Sequence, residues 1–251
     1  MSGHSKWSSI KHQKGVADAK RGQLFTKLTR EIIIAARQGG GSPDANYRLR
    51  LAIQKARDSN MPMDNIDRAI KKGTGEGEGT ALAEITFEGY GPSGAAILVQ
   101  VLTDNRNRTV QDVRNIFTRH GGNMGESGSV AWLFESKGII TVDTDSLDTD
   151  ELTLKAIDAG AEDVNVEGDC IEIYTKPTEL MSVRTALEQA KVPISAATLS
   201  MIPKTTLDLD EKASIQALKL LHKLEELDEV QSVSSNVNFT DEILKKYDEL
   251  A

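Results

Sequence analysis

The stretch Gly73-Thr74-Gly75-Glu76-Gly77-Glu78-Gly79 decides how this 251-residue chain is divided. Its alternating glycines give the backbone no regular preference, so the stretch predicts a flexible linker. A phosphate-binding loop is the alternative. It fails because no strand pattern precedes the stretch, no Lys-Ser or Lys-Thr pair follows it, and its two glutamates would repel phosphate. We therefore expect a helical part before the linker and a mixed α/β part after it.

The formal charge changes sign across the linker. Residues 1–80 hold 15 basic and eight acidic side chains, and residues 81–251 hold 15 and 30, so the two parts carry +7 and −15. Clustered Lys and Arg attract polyanions from a distance. The charge distribution therefore predicts that the N-terminal part contacts a phosphate-rich partner.

The first predicted helix, residues 23–38, has an apolar face and a basic face. Its apolar side chains fall within about 120° of a helical wheel, which is typical of a core-facing stripe. Lys27, Arg30 and Arg37 fall on the opposite side. Ile34 lies near this basic face, and the pattern does not explain it.

Two further helices complete a basic three-helix module. Ser42 as N-cap, followed by Pro43 in the first turn, predicts a second helix that runs to about Asn60. A third helix is predicted from Met63 to Lys72, with acidic residues early and basic residues late, as the helix dipole favours. Gly73 ends it.

After the linker the hydrophobic period changes from helical to alternating. Strands are predicted at 83–88 and 95–103, a helix at 110–119, and a strand at 129–134, in the order ββαβ. Residues 138–201 then give βαββαβ, an order that matches the ferredoxin-like split βαβ unit.

The last segment completes the interrupted unit. A helix at 210–227 and a strand at 230–239 turn the ββαβ order into ββαβαβ, so the unit of residues 138–201 is predicted to be inserted. The insertion requires the strand near 230–238 to pair with the sheet of residues 83–134.

We therefore expect an α+β fold, with an N-terminal three-helix module followed by two ferredoxin-like α/β domains, the last inserted into the middle one. The predicted domains are 1–80 (basic helical domain with N-terminal arm and Gly-rich linker), 81–136 plus 204–251 (central), and 137–203 (inserted).

Catalytic signatures are missing from the sequence. The four histidines have neither the spacing of a helical metal pair nor a nearby ligand set. Nucleophile-elbow, kinase and Walker motifs are also missing. We expect a non-enzymatic protein without metal or cofactor.

The sequence also predicts a cytoplasmic location. No window approaches 18 consecutive apolar residues, and the N-terminus has no apolar signal segment. The single cysteine, Cys170, cannot form an internal disulfide, which agrees with a reducing compartment. No membrane and no small-molecule substrate is expected as a partner.

The arm of residues 3–14 mixes lysines, hydroxyl groups and one Trp, a combination suited to phosphate, sugar and base contacts. Trp7 can instead dock in a core, and the rarity of exposed Trp favours docking. The cations are too numerous for a random solvated face of an acidic protein. The candidate nucleic-acid-binding residues of this part are Lys6, Trp7, Lys11, Lys14, Lys20, Arg21, Lys27, Arg30, Arg37, Arg68 and Lys71.

A polar loop is predicted at residues 104–109, Asp-Asn-Arg-Asn-Arg-Thr. Arg106 and Arg108 are candidates for a second nucleic-acid contact from the central domain. A purely structural turn is the alternative, and both remain open.

Several long motifs closely resemble the YebC family. They are Gly3-His4-Ser5-Lys6-Trp7, Lys20-Arg21, Asn60-Met61-Pro62 with Asn65-Ile66-Asp67-Arg68-Ala69-Ile70, and Thr103-Asp104-Asn105-Arg106-Asn107-Arg108-Thr109. The resemblance covers nearly the whole chain. It implies a three-domain α/β protein, usually described as a probable cytoplasmic transcriptional regulator that binds DNA. It also implies kinship with a mitochondrial translational activator of cytochrome oxidase and with bacterial relatives linked to the ribosome and to stalled translation.

Two functions therefore remain open. A DNA-binding regulator commonly presents a recognition helix to base edges, and the predicted helix at 63–72 is a candidate, although Arg68 and Lys71 could equally contact phosphates. A ribosome-associated translation factor would insert its basic arm and module into folded ribosomal RNA, where phosphate and ribose contacts dominate.

Overall fold

The computed structural model describes residues 18–75, 82–143, 148–167 and 170–250. Over these ranges the chain has an α+β fold, as expected, with eight helices and two four-stranded sheets. The helices are α1 (Asp18–Gly39), α2 (Tyr47–Asp58), α3 (Met63–Gly73), α4 (Arg106–Arg119), α5 (Thr149–Asp158), α6 (Leu180–Gln189), α7 (Glu211–Glu225) and α8 (Asp241–Leu250). The strands are β1 (Ala83–Tyr90), β2 (Ala96–Thr103), β3 (Asn123–Met124), β4 (Phe134–Asp143), β5 (Asp163–Glu167), β6 (Cys170–Thr175), β7 (Ile194–Pro203) and β8 (Val230–Ser235).

The chain divides into two compact units, Ser136–Met201 and the remainder. In the larger unit the first sheet has the strand order β3-β1-β2-β8. Strand β8 runs antiparallel to β2, with Ile97 opposite Ser235 and Val99 opposite Val233, which is the pairing that an inserted unit requires. The residue boundaries of the three predicted domains remain a prediction, because the helical part and the first sheet share one compact unit.

The smaller unit has the element order β4-α5-β5-β6-α6-β7, the βαββαβ order expected from the sequence. Its sheet has the strand order β5-β6-β4-β7, so the first and third strands of the unit are central. The buried side chains of the two central strands include Ile140, Val142, Ile171 and Ile173, which alternate as a sheet with one covered face requires.

Helices α1, α2 and α3 enclose a separate apolar core. It includes Ile32 and Leu49 from the stripes predicted for the first two helices, and both are fully buried together with Ile66 of α3. Ile33, which the predicted stripe did not include, is also buried in this core. At Gly73 an added Cβ would lie 2.6 Å from the Ile33 carbonyl oxygen, so α3 approaches α1 as closely as only glycine permits.

The second helix begins four residues later than the sequence suggested. Asn46, not Ser42, is the N-cap of α2, and its side chain accepts a hydrogen bond from Leu49 N at 3.1 Å. The same side chain donates to the carbonyl oxygens of Ala35 and Gly40 at 2.7 and 2.8 Å. One buried amide thus fixes both the end of α1 and the start of α2, which a cap at Ser42 could not do.

The predicted strand at 129–134 is wrong. Strand β3 is only Asn123–Met124, and residues Ala131–Leu133 form a 3-10 turn before β4. The carboxylate of Glu88 in β1 accepts hydrogen bonds from the backbone amides of Gly128, Val130 and Ala131 at 2.6 to 2.7 Å. Because these amides bind a side chain, they are not available to a strand ladder.

The start of α4 and the presence of a C-terminal helix also differ from expectation. Helix α4 begins at Arg106 and not at Val110, because Asn105 caps it by accepting from Arg108 N at 3.1 Å. The C-terminal helix α8 was not predicted from the sequence, although its Leu244 and Tyr247 side chains are both buried.

The glycines at 77 and 79 of the predicted linker lie outside the described residues.

Candidate nucleic-acid interface

The basic face of α1 contacts the end of α7 in the central sheet domain. Lys27 Nζ donates to the Glu225 carbonyl oxygen at 2.6 Å. Arg30 donates to the carbonyl oxygen of Asp228, and Gln23 donates to that of Glu226. Carbonyl groups at a helix C-terminus lack intrahelical partners and carry partial negative charge, so the side chains of α1 supply the missing donors.

Glu229 joins this contact to the start of α4. Its carboxylate lies 3.7 Å from Arg30 Nη2 and 2.8 Å from Arg108 Nη2, and its side chain is only 14% exposed. Arg108 also pairs with Asp104 at 3.1 Å. The hydrogen bond with Glu229 is the main reason that the pKa of Arg108 is raised. One carboxylate thus holds cations from two helices.

Ile34, which the helical wheel placed near the basic face, is buried in the structure. Ile34 is only 3% exposed, and α1 contacts β8. The face of α1 that the sequence assigned to nucleic acid therefore contacts the protein itself, and Lys27 and Arg30 are partly buried there.

A second contact between the helical module and the sheet centres on Arg48 of α2. Its guanidinium contacts Glu31 at 2.8 Å and Glu84 of β1 at 2.7 Å. Burial opposes the charged form of Arg48, but the hydrogen bonds with Glu84 and Glu31 outweigh burial and raise its pKa. The hydrogen bond from Arg48 in turn lowers the pKa of Glu84. Arg37 adds a bond to the Leu82 carbonyl oxygen at 3.1 Å.

The remaining predicted site residues are exposed wherever the structure describes their side chains. Arg21 lies over the ring of Phe25, 5.4 Å from its centroid. Arg68 and Lys71 lie on the solvent face of α3, and Arg106 lies on the first turn of α4. Outside the described side chains are Lys6, Trp7, Lys11, Lys14 and Lys20.

Helix α3 follows α2 after a turn of four residues, 59–62. In this turn Asn60 has a left-handed backbone with φ of 57°, and Met61 is buried in the helical core. The inner side of α3 buries Ile66 and Ala69. Its outer side has a shallow depression lined by Asp64, Asp67, Arg68 and Lys71.

Arg68 is positioned by its own helix. Its Nη2 donates to Asn65 Oδ1 at 2.7 Å, and its Nε donates to the Asp64 carbonyl oxygen at 3.1 Å. These bonds leave further donors of the guanidinium, which has five N–H groups in total. The outer side of α3 therefore presents a prearranged guanidinium and the Lys71 ammonium group, together with the carboxylates of Asp64 and Asp67.

Across the described ranges, no group of three or more His, Cys, Asp or Glu side chains is arranged to hold a metal ion. Within the same ranges, no helix is long and apolar enough to cross a membrane.

Comparison with protein families separates the helical part from the sheet part. The family description "TACO1/YebC protein N-terminal domain" matches residues 5–76, and "TACO1/YebC second and third domain" matches residues 82–237. The chain belongs to the TACO1/YebC family. The resemblance inferred from the sequence motifs is thereby confirmed.

Relatives of this TACO1/YebC protein are similar over their whole lengths. A probable transcriptional regulatory protein of Dehalococcoides mccartyi is 63% identical over 247 residues, which cover 98% of each chain. One of Desulfosudis oleivorans, with the same description, is 54% identical over 97% of this chain and 99% of its own. The crystal structure of a conserved hypothetical protein from Aquifex aeolicus matches with a TM-score of 0.85 and 50% identity, covering 94% of this chain and 97% of that one.

Proposed function

We propose that this protein is a transcriptional regulator that binds DNA through its helical module, with α3 entering the major groove. The observation that carries the proposal is the α2–turn–α3 arrangement, in which a four-residue turn presents the exposed, charged side of the second helix. DNA-binding helix-turn-helix motifs use their second helix in this way. The names of the relatives, probable transcriptional regulatory proteins, agree with it.

Within this proposal the cations divide into two groups. Arg68 and Lys71 contact the DNA directly, and Arg21 contacts a phosphate. The arm residues Lys6, Trp7, Lys11, Lys14 and Lys20 extend the contact along the backbone. Arg106 adds a contact from the central domain.

The second group of cations positions the module. Lys27, Arg30, Arg37 and Arg108 bind protein carbonyl or carboxylate groups in the structure. The charge of Arg37, which binds a neutral carbonyl oxygen, still adds to the positive field that attracts DNA. The carboxylate of Glu229 offsets charge at Arg30 and Arg108, so these two cations contribute less to that field. We place the protein in the cytoplasm and assign it no catalytic step.

The test is selection of bound sequences from a random duplex DNA library, followed by footprinting of the enriched sites. A shared motif protected at defined positions is the expected result, because base-edge contacts discriminate between sites. Equal affinity for unrelated duplexes would argue against a site-specific regulator. Stronger binding to ribosomal RNA than to every selected duplex would favour the ribosome-associated alternative.

A further inference from the structure

Trp132 is the most exposed large apolar side chain that the structure describes, with 65% of its surface accessible. It lies on the 3-10 turn Ala131–Leu133, immediately before β4. Its near neighbours Val130 and Phe134 are both buried. A Trp side chain is highly buried on average. An exposed Trp between two buried residues such as Val130 and Phe134 therefore indicates a binding surface.

The turn that carries Trp132 is held by a buried carboxylate. Glu88 is 5% exposed, and its two oxygens accept from the amides of Gly128, Val130 and Ala131. Burial alone would raise the pKa of Glu88, but these three hydrogen bonds outweigh burial and lower it. A buried charge needs such partners to be tolerated, so Glu88 and the turn fix each other. The ring of Trp132 is therefore displayed from a defined backbone.

The polar group of the indole is already in use. Trp132 Nε1 donates to the Ser129 carbonyl oxygen at 3.1 Å, and Tyr90 Oη donates to the same oxygen at 3.2 Å. The part of the Trp132 side chain that remains for a partner is the π surface of the indole ring. A ring of this kind suits stacking on a nucleobase, because every base has a π face and no particular hydrogen bond is needed.

The surroundings of Trp132 favour a base over an apolar protein surface. Its exposed neighbours in sequence are polar, and they include Glu126, Ser127, Glu135 and Ser136. A Trp that anchors a protein–protein interface is instead surrounded by a wider packed contact surface. Lys204 is exposed and donates to the Trp132 carbonyl oxygen at 3.0 Å, so one cation adjoins the turn. Glu126 and Glu135 disfavour a phosphate beside the ring, so the contact that we infer is with the base, and Lys204 is the adjoining cation that can bind its phosphate.

We propose that Trp132 is a stacking platform for an unpaired nucleobase, supplied by a single-stranded segment of the nucleic acid that the protein binds. The proposal rests on the proposed nucleic-acid function and extends it, because bases inside an intact duplex are already stacked. It assigns the central domain a contact with opened strands, separate from the contact of α3 with duplex DNA.

The experiment uses tryptophan fluorescence of the full chain. The sequence has two tryptophans, so Trp7→Phe leaves Trp132 as the only one. This variant is titrated with a mixed-sequence single-stranded oligonucleotide of about 20 nucleotides and with a blunt duplex of the same sequence. The expected result is quenching by the single strand and much weaker quenching by the duplex.

Binding affinities are then compared by anisotropy for Trp132→Ala, Trp132→Phe and the wild type. Trp132→Ala is expected to bind the single strand about 5- to 150-fold more weakly, from the usual size of one base–aromatic stack. Trp132→Phe should retain part of the affinity, and blunt-duplex affinity should not change. Leu154→Ala, which shortens another exposed apolar side chain (64%), is the control and should bind as the wild type does.

The outcomes separate this proposal from the proposed function. Unchanged fluorescence with the single strand, or wild-type affinity of Trp132→Ala, overturns the proposal, while duplex binding can still stand. Quenching by the single strand without duplex binding supports Trp132 as a platform and contradicts the DNA regulator. Crosslinking of Trp132 to a protein in place of the oligonucleotide also overturns the proposal. Circular dichroism melting confirms that each variant is folded.

Discussion

Arg30 of α1 and Glu229, which lies between α7 and β8, form an ion pair with 3.7 Å between Nη2 and Oε1. This pair belongs to a wider contact in which the basic face of α1 covers the carbonyl end of α7. The positive face of the helical module is therefore partly used to hold the module on the sheet. Among the described residues, Arg68 and Lys71 of α3 remain exposed.

Glu229→Gln should weaken the hold of the helical module on the sheet. The glutamine amide keeps a hydrogen-bonding oxygen but loses the charge that faces Arg30, so we expect the free energy of unfolding to fall by roughly 1 kcal/mol. Hydrogen exchange in α1 should become faster as well. Urea unfolding and hydrogen-exchange mass spectrometry measure these two effects.

Asp228→Asn is the matched control for this change. Asp228 is exposed, and the contact that it makes with Arg30 is through its main-chain carbonyl oxygen. The control removes one negative charge from the same segment and should leave exchange in α1 unchanged. Equal effects of the two substitutions would mean that the Glu229 pair does not hold the module.

Glu88→Gln should destabilise the protein in a pH-dependent way. The glutamine NH2 group would face a backbone N–H group, so we expect a loss of roughly 2 to 4 kcal/mol near neutral pH. The pKa of Glu88 in the folded chain lies below the ordinary 4.5. The stabilisation by its charged form is therefore full above about pH 4.5 and is lost as the pH falls through the lower folded pKa.

Urea unfolding of the wild type and of Glu88→Gln across this pH range gives the measurement. The difference between their free energies of unfolding should be largest near neutral pH and should become smaller as the pH falls. Glu126→Gln, in an exposed position nearby, controls for the loss of one negative charge. A difference that stays constant down to the acid transition would contradict the assigned role of the Glu88 charge.

Two glycine substitutions should change stability in opposite directions. In Gly73→Ala the new Cβ would lie 2.6 Å from the Ile33 carbonyl oxygen and 2.7 Å from Ala36 Cβ, so the backbones must separate at a cost of roughly 1 to 3 kcal/mol. In Gly22→Ala, in the exposed part of α1, nothing lies within 4 Å of the new Cβ. Helix propensity should then add about 0.5 to 1 kcal/mol. Thermal unfolding of both variants shows whether each substitution raises or lowers the stability.

Asn46→Ala tests the connection between α1 and α2. It removes the cap of α2 and leaves the carbonyl groups of Ala35 and Gly40 without their donor, so we expect a loss of roughly 2 to 4 kcal/mol. Ser42→Ala changes the residue that sequence signals favoured as the cap. Ser42 is exposed, and its substitution should stay within about 0.5 kcal/mol of the wild type. A larger loss of stability for Ser42→Ala than for Asn46→Ala in urea unfolding would indicate that Ser42 is the cap.

These cases show what the sequence could predict and what it could not. The period of the apolar residues predicted the order of elements in residues 138–201, because burial of one face leaves a repeat along the chain. Capping signals were ambiguous, since Ser42-Pro43 and Asn46 both suit a helix start. Asn46 prevails because its amide satisfies three backbone groups, two of which belong to the preceding helix end.

The candidate site was harder to predict for a related reason. A helical wheel locates the cations of α1, but it gives no information about the group opposite them. The partners of Lys27 and Arg30 are 198 residues away in the sequence. Trp132 was overlooked because its segment alternates like a strand, and only the distant Glu88 carboxylate shows that the segment is a turn.

The proposed function depends on DNA binding by the outer side of α3. Its most direct test is the salt dependence of duplex DNA binding, measured by anisotropy, for the wild type and for the double variant Arg68→Ala/Lys71→Ala. Lys212→Ala/Lys219→Ala removes two exposed lysines of α7 as a control. If both α3 cations contact phosphates, the slope of log K against log salt should become shallower by about 2 in the α3 variant. A slope and an affinity equal to those of the α7 control would contradict this proposal.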